Sequence, residues 1–204
     1  MEYLVHGDLC FSTAPRHIET MEASYLHVKD GKCISCYKEL PEALSSLEIK
    51  DYSGNLIIPG MVDLHLHAPQ YAYRGTKMDL PLLDWLNSNT FPEEAKYEDM
   101  NYAKAAYKNF VEDLKESPTT RAVIFATLHK EATLCLMDLL EKSGLETMVG
   151  KVNMDRNSPD YLTEHSAEEA LENTRNWLQA IPEDYRHCHP ILTPRFTPTC
   201  SDAL

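Results

Sequence analysis

The sequence predicts an α/β protein: about four β/α units, a count that matches the first part of an eight-stranded (β/α)8 barrel, carried behind a small β-rich domain. Three observations predict it. After Pro59 the chain changes from short β-prone runs to strand-like and helix-like segments in alternation, which implies a parallel sheet with right-handed crossovers. Four such units occupy about 145 residues, whereas a complete barrel of this kind takes about 250. Ahead of them, "SYLHVKDGKCISCYKEL" sets Asp30-Gly31 between two alternating runs, a strong hairpin signal. By element count alone, a complete and smaller open α/β sheet stands as the alternative.

Taken in order, residues 1–58 read as the β-rich domain and residues 59–204 as the barrel part. "MVDLHLH" is the first barrel strand. "PLLDWLNS" and "PEEAKYEDMNYAKAAYKNFVEDLKES" read as helices, Pro92 and the acids after it suiting a helix start. The acidic run Glu93, Glu94, Glu98 and Asp99 reads as a solvated helix face, and the tyrosines of "YAYR" as packing residues. "TTRAVIFATL" is a β-branched strand, and "KEATLCLMDLLEKSG" a helix closed by Gly144. "TMVGKVNMD" is a third strand. "TEHSAEEALENTRNWLQAI" is a helix with Thr163 as its N-cap, and "HPILTPRF" a fourth strand.

The formal net charge of −13, with no basic stripe, argues against a nucleic-acid surface. It favours a small neutral or cationic ligand, or a protein. The opening "MEYLVHGDLCF" has neither a positive n-region nor a long apolar stretch, and no run approaches a membrane span. Six scattered cysteines without a secretory signal read as reduced thiols in a cytoplasmic protein. Cys33-Ile-Ser-Cys36 lies in the predicted hairpin, and no second pair completes a four-cysteine site.

The chemistry gathers in "PGMVDLHLHAPQY". On a strand, alternate residues share a face, so His65 and His67 point one way while Val62, Leu64 and Leu66 point the other, available to pack under helices. Two imidazoles facing an interior need a partner, and a metal ion would serve. A lone His-X-His pair is more often two ordinary histidines. Here it ends a predicted barrel strand, where active sites gather.

Beyond the pair, the segment "PGMVDLHLHAPQYAYRGTKMDLPLLDWLNSNTFPEEAKY" resembles the guanine deaminases, a family within the amidohydrolase superfamily of metal-dependent TIM-type barrels. Pro59, Gly60, Asp63, His65 and His67 match the superfamily's Pro-Gly-X-X-Asp-X-His-X-His mark. "HAPQY", "DLPLLDWL" and "TFPEE", followed by "FATLH", "VGKVNMD" and "LTPRFTPTCS", match the narrower family in the same order. The resemblance implies zinc-dependent hydrolysis of guanine to xanthine and ammonia, with one zinc per complete site. Zinc would acidify a water that attacks the amino-bearing carbon, and a carboxylate would carry protons to the leaving ammonia. His65 and His67 match metal ligands. His67, Gln70, Arg195 and Phe196 match substrate-contacting positions, Arg195 donating to the guanine carbonyl and Phe196 packing by the ring or offering its backbone. A homodimer is implied for the full-length enzyme.

A catalytic zinc usually takes three protein ligands and a water. The family's further ligands and its proton-shuttling Glu follow the "PRF" strand, so no catalytic residue is assigned within this chain. His129, at the end of the second barrel strand, matches a family His and reads as a pocket-lining or structural residue. His187 and His189 read as a polar loop at the opposite barrel end, and His6, His17 and His27 receive no role. The expectation is therefore the N-terminal half of the enzyme, inactive alone and either poorly stable or oligomeric. A related heterocycle as substrate, or a non-catalytic half-barrel, are the alternatives.

Overall fold

The computed structural model describes residues 1–204, which divide into two compact units, Met1–Gly60 and Met61–Leu204. The first unit is one four-stranded sheet of β1 (Glu2–Ala14), β2 (His17–Lys29), β3 (Lys32–Tyr37) and β4 (Ile49–Ile57). Its order is β3-β2-β1-β4, with β4 parallel to β1 and the hairpins antiparallel. The Asp30-Gly31 turn joins β2 to β3 with both residues at positive φ, 49° and 76°. That backbone matches the right-handed twist of the flanking strands, which is why Asp-Gly is favoured there.

The second unit is built on β5 (Met61–His67), β6 (Thr119–Phe125), β7 (Glu146–Gly150) and β9 (Cys188–Pro190), parallel throughout and ordered β5-β6-β7-β9. A short parallel pair, β8 (Val152–Asn153) with β10 (Thr193–Pro194), extends the third and fourth units. Helices α3 (Met100–Glu116), α4 (Lys130–Ser143) and α5 (Ala167–Ala180) connect the strands. Tyr107, Phe110, Ile124, Leu136, Met137, Leu140, Val149 and Trp177 form the buried core between strands and helices. Gly144 ends α4 in the left-handed conformation, φ 76°, as a helix C-terminus favours. The sheet does not close, as a partial barrel requires.

Three local expectations are corrected. First, β5 does not alternate regularly. It advances three residues, Asp63 to Leu66, while β6 advances two, Ala122 to Ile124. This bulge shifts the strand's phase. Val62 pairs with Arg121 and His67 with Phe125, so Val62 shares the histidines' face. Only Leu66 packs on the helix-covered core. Val62 and Leu64 are 52% and 71% exposed.

Second, the acidic run is a solvated face only in part: Glu98 and Asp99 are exposed, but Glu93 and Glu94 are not. The segment from Pro81 winds through α1 (Leu82–Trp85), a π-helical turn at Leu86–Thr90 and α2 (Phe91–Ala95). Pro92 stands in the first turn of α2, as its sequence suggests, but α2 continues a helical run that begins at Leu82. The wider π turn, closed by the Phe91 N–H on the Leu86 carbonyl, makes room for a ring that would collide with a regular α-helical backbone. The turn also rotates Glu93 and Glu94 into the protein, where both are buried.

Third, α5 is capped by Ser166, not Thr163. The Ser166 hydroxyl accepts from the Glu169 N–H, and the Glu169 carboxylate accepts from the His165 N–H at 2.7 Å. "SAEE" carries this capping pattern in the sequence.

Candidate active site

The C-terminal ends of β5 and β6 meet at His65, His67 and Phe125. Asp63 holds the turn of the strand by accepting from the His65 N–H at 3.0 Å. The ring of Phe125 stacks on His67, centroids 4.6 Å apart and planes 20° from parallel, and lies 5.0 Å from His65. These contacts set both imidazoles so that their Nε2 atoms face each other at 3.2 Å.

That separation suits a shared cation. Two nitrogens bound to a tetrahedral zinc stand about 3.3 Å apart, given metal–nitrogen distances of about 2.0–2.1 Å. The His67 Nδ1 is buried without a partner. Burial, aided by the positive Arg195 and by His65, pulls the His67 pKa down to about 3. His67 is thus held as the neutral imidazole that a metal requires. The pair fits a metal ion.

The sign of this shift makes a test. An unfolded histidine takes up a proton near pH 6.5, whereas His67 in the metal-free folded chain waits until about pH 3. Stability is therefore lost as pH falls through that window, because only the unfolded chain binds the proton. In NMR titration of the metal-free chain, His67 should show no transition between pH 8 and 5, and a midpoint near 6.5 would contradict the geometry. Urea unfolding should show lower stability at pH 5 than at pH 7.

His65 and His67 open onto a cleft of about 790 Å³ that Gln70, Phe125, Arg195 and Phe196 also line, with Leu82, Trp85 and Leu86 forming an apolar wall. All five residues singled out in the sequence thus meet at one cavity. Arg195 follows β10 and is 4% exposed. Its backbone N–H bonds the Asn153 carbonyl of β8 at 3.0 Å, its guanidinium lies over the Phe91 ring at 5.5 Å, and its Nη1 donates to Glu94. Phe196 sits at φ 43°, ψ 158°, an unfavourable backbone for a residue with a Cβ. The Thr199 hydroxyl, donating to the Arg195 carbonyl, holds this kink.

The other histidines lie elsewhere. His129 precedes α4; its Nε2 is buried and unpartnered, burial lowers its pKa, and it does not line the cleft. His187 pairs with Glu146 at 2.8 Å. His189 is not in a loop but on β9, exposed beside Val62 and Leu64. In the first unit, His6 bonds Asp51 at 3.0 Å and His27 bonds Glu2 at 2.9 Å. No group of three or more His, Cys, Asp or Glu side chains could hold a metal ion. Sequence reasoning gave no role to Phe125 and Trp85, although both lie within matched segments, "FATLH" and "DLPLLDWL", and it misplaced Glu94, whose charge suggested solvent.

The sequence profile of the amidohydrolase family matches residues 56–204, most of the chain and all of the strands bearing the cleft. The chain belongs to the amidohydrolase family. This is a family of metal-dependent hydrolases, in keeping with the fit at His65 and His67. Among individual amidohydrolases, the guanine deaminase of Dictyostelium discoideum is 41% identical over 155 residues, covering 76% of this chain and 34% of that protein. Human guanine deaminase is 32% identical over 216 residues, covering 100% of this chain and 47% of that one. The crystal structure of guanine deaminase from C. acetobutylicum with bound guanine superposes with a TM-score of 0.93 and 44% identity, over 100% of this chain and 48% of that one. The chain thus spans about a third to a half of the relatives it matches.

Proposed function

We propose that this chain serves in zinc-dependent hydrolytic deamination of guanine to xanthine and ammonia, supplying the purine-recognition wall and two zinc ligands. The observation that carries the reading is the convergence of His65, His67, Gln70, Arg195 and Phe196 on one cleft.

His65 and His67 would hold the metal, their Nε2 atoms facing each other at 3.2 Å. When bound, zinc supplies water activation, lowering the pKa of water towards neutrality. Arg195 donates to the acceptor edge of guanine, whose carbonyl oxygen and neighbouring ring nitrogen suit a guanidinium fork. Gln70, with donors and an acceptor on one amide, reads a second edge. His67 borders the same space, and Phe196 packs by the base or offers its backbone. Trp85, Leu86 and Phe125 exclude water, which strengthens every polar contact inside. No carboxylate lines the cleft, so the proton carrier and the remaining zinc ligands come from outside these residues. All six cysteines are unpaired, which supports a reducing, cytoplasmic setting. No helix is long and apolar enough to cross a membrane.

The test is zinc content and ammonia release from guanine, measured on the chain alone and together with a polypeptide matching the other half of its relatives. The pair is expected to turn over guanine and the chain alone to be inactive. His65→Ala should lower metal affinity by more than the roughly 10–100-fold that changes in supporting residues cost. A folded, zinc-loaded pair without activity on guanine would sink the substrate assignment. Turnover by the chain alone would show that its own residues complete the site.

A further inference from the structure

We infer that Glu94 is the positioning residue for Arg195: a buried carboxylate behind the cleft wall that aims the guanidinium and cancels its charge, so that the site selects a neutral heterocycle over an anionic one. The aim of the guanidinium follows from the packing around it, and its kinetic consequence rests on the guanine reading above.

Glu94 is 0% exposed, and its Oε2 accepts from Arg195 Nη1. The two residues are 101 positions apart, so the pair ties α2 to the segment after β10. Arg195 lines the cleft and Glu94 does not, so the carboxylate holds the guanidinium without bordering the space a ligand would fill. Phe91, three residues earlier on α2, lies against the same guanidinium. Arg195 Nη1 is thereby fixed, leaving the rest of the planar fork to a ligand. The second carboxylate oxygen, Oε1, is buried with no partner. Burial raises the pKa of the Glu94 carboxyl, and Arg195, by its charge and its hydrogen bond, works against that rise and favours the ionised form. An isolated charge here would be costly on either side, so the two hold each other in place. Together they present donors without net charge. An acceptor edge of a neutral base gains those donors, whereas an anion finds its attraction to Arg195 offset by Glu94.

Two measurements decide this. The first needs no turnover: the 204-residue chain is treated with 2,3-butanedione and modification of each arginine is followed by mass spectrometry. Arg195 should resist in the native chain and react at least tenfold faster in Glu94→Gln, with Glu94→Asp between them. Arg74, whose side chain is 63% exposed, is the internal reference and should not change. Equal Arg195 rates in all three proteins would overturn the inference. If Glu94→Gln fails to fold, Glu94→Asp, which keeps the charge, decides by the same criterion. The second measurement uses the zinc-loaded pair of polypeptides. Glu94→Gln should raise KM for guanine about tenfold with a smaller change in kcat, and should tighten inhibition by urate, an anionic purine. A merely structural role would weaken both ligands alike, and that result would overturn the charge-selection half. If the native pair does not act on guanine at all, the substrate reading fails while the labelling still decides whether Glu94 aims Arg195.

Discussion

Lys151→Met is expected to destabilise the second unit by about 3–5 kcal/mol, the range for breaking one partner of a buried ion pair. Lys151 and Glu164 are both 1% exposed at the side chain. Lys151 Nζ donates to Glu164 at 2.7 Å and to the Val152 carbonyl at 3.0 Å. The other Glu164 oxygen accepts from Asn153 at 2.9 Å, and Asn153 also bonds Thr174 at 3.0 Å. Burial draws the Lys151 pKa down while Glu164 opposes it. Methionine would fill the space but strand the carboxylate. The loss is a large share of the roughly 5–15 kcal/mol that holds a typical domain folded. Urea unfolding of Lys151→Met, Glu164→Met and the double variant measures it. The double variant should recover a substantial part of the summed losses, and strictly additive losses would contradict the pairing. The effect reaches the cleft, because the Asn153 carbonyl receives the Arg195 N–H.

Gly150→Ala is the second large effect. A Cβ there would stand 2.2 Å from Thr193 Oγ1, 2.3 Å from Thr193 Cγ2 and 2.7 Å from the Ile191 carbonyl oxygen. Thr193 cannot swing away freely: it is buried and its hydroxyl bonds the Lys151 carbonyl at 2.9 Å. Overpacking of this kind costs about 1–3 kcal/mol, and more when backbone must move. The segment forced to move leads into Arg195. Gly150→Ala should lower the urea midpoint, and adding Thr193→Gly should restore only part, since the Ile191 carbonyl still obstructs. An unchanged midpoint in Gly150→Ala would mean that β7 and the 191–195 segment are not packed as described.

What the sequence made legible follows from the range of each signal. Asp30-Gly31 and Gly144 act through their own backbone angles, so short windows suffice to find them. The strand–helix alternation showed in composition. His65, His67, Gln70, Arg195 and Phe196 were legible through family-specific motifs, and they do share a cleft. The β5 bulge was hidden because alternation assumes a regular partner strand, and the extra residue is defined only against β6. Glu94 was misread because charge near other charges suggests solvent, while its partner stands a hundred positions away in a different turn of the fold. Lys151 and Glu164 were hidden for the same reason. Ser166 is different: its capping pattern was present in "SAEE" and outranked Thr163 on spacing alone.

The open sheet has a consequence for assembly. β5 and β9 each leave one edge without a neighbouring strand, and both edges belong to a single parallel ladder. A segment that completed the ring would have to pair with both edges at once. Were that segment a separate polypeptide, pairing at one edge would make pairing at the other intramolecular, and two weak attachments would multiply. Avidity of this kind makes a piece reaching one edge a poor substitute for one reaching both.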